Sequence, residues 1–264
     1  MIRIQVLSDL HLEAPSAYGI FDIPPRAPYL ALLGDIGNTN DDALFTFLEA
    51  QLRKFQVVFF LLGNHEPYHS NWASARDKTQ KFAHEMNERN EARLGKFIFL
   101  DHTRYDISTE VTVLGCTLYS NVADAQKERV SFGLNDFYHI DDWSVEAHLE
   151  AHRGDLAWLN DQVAQITMVE PQRKIVVFTH HSPTVDARAV DPNHANSPIS
   201  SGFVSDLAAE ECWRSPSVCA WAFGHTHYNC DFVEEETRKR VIANQRGYYF
   251  SQAKAFEPER VIEV

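Results

Sequence analysis

The chain has no internal repeat, no low-complexity tract and no run of about 18 apolar residues. These absences exclude a repeat array and leave no segment expected to span a membrane. Cysteine is scarce. The four residues Cys116, Cys212, Cys219 and Cys230 lack zinc-knuckle spacing and read as thiols in a reducing compartment. Only Cys219 and Cys230 look able to meet, across neighbouring strands. Positive charge is also scarce: 24 Lys and Arg stand against 37 Asp and Glu, a formal net charge of −13. That argues against a broad electropositive face for long nucleic acid. An anionic substrate remains open if metal ions supply local positive charge. The opening MIRIQVLSDLH lacks the basic segment and cleavage site of a secretory signal, so a cytoplasmic location is expected.

What the chain has is apolar mass. Hydrophobic residues make up 44% of it, enough for a sizeable core, and one domain over residues 1–264 is expected. Strand patterns occur at 2–7, 29–33, 57–62, 97–100, 104–107, 111–116, 174–178 and 219–223. A hairpin-like pair follows at 229–233 and 240–243. Helical spacing predicts helices over about 41–54, 72–93 and 147–168, the first capped by Thr39, Asn40 or Asp41. The three short strands between 97 and 116 read as a meander, and the C-terminus as loosely structured. Residues 117–148 and 183–201 read as long loops positioned to cover a site.

Five strands stop in residues of metal-ligand type. They end in Ser8-Asp9-Leu10-His11, Gly34-Asp35, Gly63-Asn64-His65-Glu66, His180-His181 and Gly224-His225-Thr226-His227. In an extended segment, residues two apart face the same way, which pairs Asp9 with His11 and His225 with His227. The carboxyl edge of a sheet gathers such ends where ligands bind. Core packing does not explain five of them in order. A glycine precedes three, and lets the backbone turn tightly. Nitrogen and oxygen ligands without thiolate favour manganese, iron or zinc, and the abundance of imidazole makes magnesium the poorer choice.

Together these segments resemble the motifs of the calcineurin-like metallophosphoesterase superfamily, from Asp9 to His227. The resemblance implies an α/β fold of two packed mixed β-sheets, a sandwich flanked by helices in four layers. It also implies two divalent metal ions. By that pattern Asp9, His11 and His227 hold one ion, Asn64, His180 and His225 hold the other, and Asp35 bridges both. His65 is then the catalytic histidine. Many members carry an acidic residue where this chain has Asn38. The GD-x-x-D-R-G of the protein phosphatases is absent, which disfavours a serine/threonine protein phosphatase.

The implied reaction is in-line hydrolysis of a phosphoester by a hydroxide shared between the two ions, with His65 serving the leaving oxygen. Two ions bring four positive charges. Asp9, Asp35 and the hydroxide remove three, so a cationic centre is expected inside an acidic protein. No basic cluster flanks any motif. That favours a small organic or nucleotide diester over a monoester, whose dianion calls for further cationic donors. Asn64, His181, His194, Arg129, Asn135 and Tyr138 are the candidate substrate contacts. A phosphomonoesterase is the nearest alternative. A non-catalytic scaffold of the same fold is the alternative of another class, disfavoured because every ligand type is present.

Overall fold

A computed structural model describes residues 1–264. In chain order, β1 (Arg3–Leu7) and β2 (Tyr29–Leu33) lead to α1 (Asp42–Leu52), β3 (Val57–Leu61), α2 (Trp72–Glu88) and β4 (Lys96–Phe99). Next come β5 (Thr103–Asp106), β6 (Val111–Cys116), α3 (Lys127–Gly133), α4 (Asp136–His139), α5 (Val145–Val169) and β7 (Lys174–Thr179). The chain continues through α6 (Glu211–Arg214), β8 (Val218–Phe223), β9 (Cys230–Val233) and β10 (Arg240–Ala243). The short pair β11 (Gly247–Tyr248) and β12 (Ser251–Gln252) follows, and then β13 (Val261–Glu263).

Two mixed sheets result, ordered β13-β1-β2-β3-β4 and β5-β6-β7-β8-β10-β9. Their facing sides share a core in which Ile4, Ala31, Leu33, Phe59 and Leu61 meet Val113, Val176, Phe178 and Ala222. The outer face of the first sheet packs on α1 and α2 through Leu44, Phe47, Trp72 and Phe82. The outer face of the second packs on α5 and α6 through Leu159, Val163, Ile166 and Trp213. The four-layer sandwich is therefore present. Both faces of β3 are buried, with Val57, Phe59 and Leu61 toward the second sheet and Val58 and Phe60 toward the helices. That is why its sequence is uninterrupted by polar residues. Asp41 caps α1, its carboxylate accepting from Ala43 N.

Four expectations need correction. The strands between 97 and 116 are not one meander: β4 pairs parallel with β3, and β5 pairs with β6 in the other sheet. The helix α2 serves as a crossover, and the turn at His102 (φ 49°) carries the chain between sheets. Residues 117–148 are not wholly irregular. They hold α3 and α4 around a small core of Val122, Val130, Leu134, Val145 and Leu149. The helix α5 starts at Val145, with Ser144 as its N-cap. The C-terminus is not loose, because β13 covers the β1 edge and buries Ile262. Cys219 and Cys230 do not meet, because β10 lies between β8 and β9 and all four thiols are free. No helix is long and apolar enough to cross a membrane.

Candidate metal centre

The carboxyl ends of β1, β2, β3, β7 and β8 converge at the junction of the two sheets. Strand alternation is not what aims their side chains. Asp9, His11, Asp35, His225 and His227 all have positive φ, between 45° and 71°. Such backbones are uncommon outside glycine and cost about 1–3 kcal/mol each, so they persist where neighbours hold them. Here Asp9 N donates to Gly34 O at 3.0 Å, and His11 N to Asp35 O at 2.9 Å. His225 N donates to the Asp9 carboxylate at 3.0 Å. Gly34 has φ +83° and turns the chain. Gly63 and Gly224 are needed for closeness instead: a Cβ on either would strike the carboxylate of Asp35 or Asp9.

Two groups of ligand atoms gather at the strand ends, each within 4.8 Å: Asp9, His11 and His227, and Asp35, His180 and His225; a third, His11, Glu13 and His65, shares His11 with the first. In the first, His227 Nε2 lies 3.3 Å from Asp9 Oδ1 and 3.0 Å from His11 Nε2. In the second, His180 Nε2 lies 3.5 Å from Asp35 Oδ1 and 3.0 Å from Asn64 Oδ1. Asp35 stands between them, with Oδ2 3.8 Å from His11 Nε2.

The donor set fits divalent cations. His180 Nδ1 donates to Leu33 O at 2.9 Å, so in the neutral ring Nε2 presents a lone pair to two oxygens. His225 Nε2 is buried without a hydrogen-bond partner. Burial opposes charge on His180, yet the Asp35 and Asp9 carboxylates push its pKa up to about 10. Burial likewise opposes charge on His65, which Asp35 and Glu13 raise to about 9. The same negative field favours a cation at this position.

Several supporting groups were given no role by the motifs. The buried Glu66 carboxylate accepts from Gly63 N at 2.7 Å, Ile36 N at 2.8 Å and Asp35 N at 2.9 Å, locking two of the strand ends together. Burial and the Asp35 charge push its pKa up to about 8. Glu13 Oε1 lies 3.0 Å from His65 Nδ1 and 3.2 Å from His11 Nδ1. Gln245 Oε1 accepts from His227 N. Tyr248 Oη lies 3.1 Å from His65 Nε2, and its ring tilts over His11 with centroids 4.2 Å apart. Asn64 Nδ2 and Tyr68 Oη both donate to Asp136 Oδ1, each at 2.7 Å. Acidic and amide residues in turns carry no periodic signal, and of these groups only Glu66 stood within a quoted strand-end motif, without a role.

Beside His65 opens a cleft of about 740 Å³ whose walls include Glu13, Asn38, Asp41, Tyr68 and Tyr248, with no lysine or arginine. The structure does not bring most of the expected substrate contacts to it. His181 is fully buried behind His225, with ring centroids 4.1 Å apart, and neither nitrogen has a partner. Arg129, on α3, and Asn135 and Tyr138, on and beside α4, are exposed and line no part of the cleft. In that segment it is Asp136 that turns inward. His194 is exposed in a turn and likewise outside the cleft walls. Asn64, with its oxygen beside His180, is the member of that set found at the centre.

Comparison with known proteins agrees with this arrangement. The family model for calcineurin-like phosphoesterases matches residues 2–229. Uncharacterised protein L509 of Acanthamoeba polyphaga mimivirus is 25% identical over 281 residues, covering 99% of this chain and 96% of that protein. The crystal structure of a phosphopantetheinyl hydrolase from Mycobacterium tuberculosis is similar, with a TM-score of 0.66 and 15% identity, covering 93% of this chain and 89% of that one. A motif set, a sandwich and a family match over most of the sequence coincide, and the chain belongs to the calcineurin-like phosphoesterases.

Proposed function

We propose that the protein is a metal-dependent phosphoester hydrolase with two divalent ions, acting on a small organic or nucleotide phosphodiester. The observation that carries this reading is the placement of Asp35 between two clusters of buried ligand atoms. Asp9, His11 and His227 would hold one ion, and Asn64, His180 and His225 the other. Bound ions supply Lewis acidity toward the phosphoryl oxygens and lower the pKa of water. The chain supplies the rest. Asp35 fixes the two clusters relative to one another and accepts from His65 N at 2.8 Å, which sets the His65 backbone. The Glu13 carboxylate holds His65 Nδ1, so that Nε2 faces the cleft and the leaving oxygen. No side-chain nucleophile is needed.

A cleft without lysine or arginine supports a diester, because a monoester dianion calls for cationic donors beyond the metals. Manganese, iron or zinc suits the nitrogen and oxygen donors. The test is metal analysis followed by a manganese-supplemented screen of bis(p-nitrophenyl) phosphate, p-nitrophenyl phosphate and cyclic nucleotides. A phosphopantetheinyl ester belongs in the same screen, since a protein of this fold is named as a hydrolase of that group. Faster turnover of diesters is the expected result. Preference for the monoester overturns the diester assignment, and inactivity of metal-replete protein on all of them favours a scaffold.

A further inference from the structure

Asn64 poses an orientation problem. Its amide has an oxygen end suited to a cation and a nitrogen end that repels one, and the two have nearly the same shape. In the structure the oxygen lies 3.0 Å from His180 Nε2 and the nitrogen 2.7 Å from Asp136 Oδ1. Rotating the amide would turn its NH₂ toward the ligand cluster and its oxygen against a carboxylate. The same Asp136 oxygen accepts from Tyr68 Oη at 2.7 Å, and the Tyr68 ring stacks on His65 with centroids 4.3 Å apart at 25°. Asp136 is 3% exposed and makes no ion pair. Burying a carboxylate without a cation costs stability, and here the cost is offset by the two donors it satisfies. Its place is secured by the backbone. His69 N donates to His139 O at 2.7 Å and Asp141 N to Ser70 O at 2.6 Å, pinning α4 to the turn after His65.

We propose that Asp136 is a positioning residue that sets the Asn64 amide for the second cation and, through Tyr68, the plane of the His65 ring. The inference rests on the hydrolase reading above. It also gives the 117–148 segment a role that needs no contact with substrate.

The test compares Asp136→Leu, which keeps the branched shape without an acceptor, with Asp136→Asn, whose amide oxygen can still accept. Divalent ion binding is measured on purified protein by calorimetry with manganese and by mass spectrometry of retained metal, with no ester present. In Asp136→Leu one ion should bind normally and the other about 10- to 100-fold more weakly. Asp136→Asn should recover most of that loss. Wild-type affinity for both ions in Asp136→Leu overturns the proposal. Should that variant not fold, the Asn64 side-chain amide resonances of the wild-type protein decide. A hydrogen-bonded, slowly exchanging Nδ2 is expected, and a freely exchanging one overturns the proposal. Because ion binding is read without ester, a wild-type protein that binds two ions and hydrolyses nothing overturns the hydrolase reading alone.

Discussion

His65 divides its two ring nitrogens between Glu13 on one side and Tyr248 Oη on the other. Replacing His65 with alanine should lower kcat about 10²- to 10⁴-fold on an alkyl diester while both metals are retained. Full activity on such an unactivated ester would remove His65 from the chemistry. Asp35→Asn should lose metal and activity together, read by mass spectrometry and assay. Retention of both ions in that variant would remove Asp35 from between them. These residues were legible in the sequence because each follows a buried strand by one to four positions. Glu13, Glu66, Asp136 and Tyr248 were largely not. A carboxylate buried under backbone N–H groups looks, in one dimension, the same as one in solvent. Tyr248 also lies beyond the matched residues 2–229.

The elements carry their own tests. The strand ends approach so closely that Gly224→Ala would push a methyl group into Ser8 and Asp9. A loss of about 1–3 kcal/mol in denaturant unfolding is expected, and an unchanged midpoint would show the turn to be looser than it stands here. On α5, His148 is buried and its Nε2 accepts from Ser120 N at 2.9 Å. Burial, with His152 nearby, pushes its pKa down to about 3. The folded ring therefore stays neutral while the unfolded one takes a proton below about pH 6.5. Its contribution is present above that pH and is lost as pH falls toward about 3. Urea midpoints at neutral pH and near pH 5 should converge more for His148→Gln than for the wild type, and equal slopes would contradict it. The strands were legible through their apolar runs. The parting of β4 from β5 was not, because both are short and the turn at His102 looks like any hairpin. The helices α3 and α4 escaped notice because seven and four residues are too few to display a period.

At the scale of the whole molecule, a net charge of −13 surrounds a centre built to become cationic. Long-range repulsion should slow the approach of an anionic ester at low salt. Raising ionic strength is expected to raise kcat/KM for a charged diester and leave a zwitterionic one unchanged, and a falling value for the charged ester would point to a local attractive field. The sandwich itself was legible only through the resemblance of the motifs, since a strand buried on both faces calls for covering layers without saying whether they are sheet or helix. The chain's topology adds a constraint on timing. Asp9 and His225 are 216 positions apart, yet the backbone of one is hydrogen-bonded to the carboxylate of the other. A nascent chain leaving the ribosome carries Asp9 and His11 without His225 and His227 until β8 and the turn after it have emerged. Complete metal loading is thus expected only once that turn is in place, and ribosome-bound chains stalled before Gly224 should retain less manganese than the full-length protein.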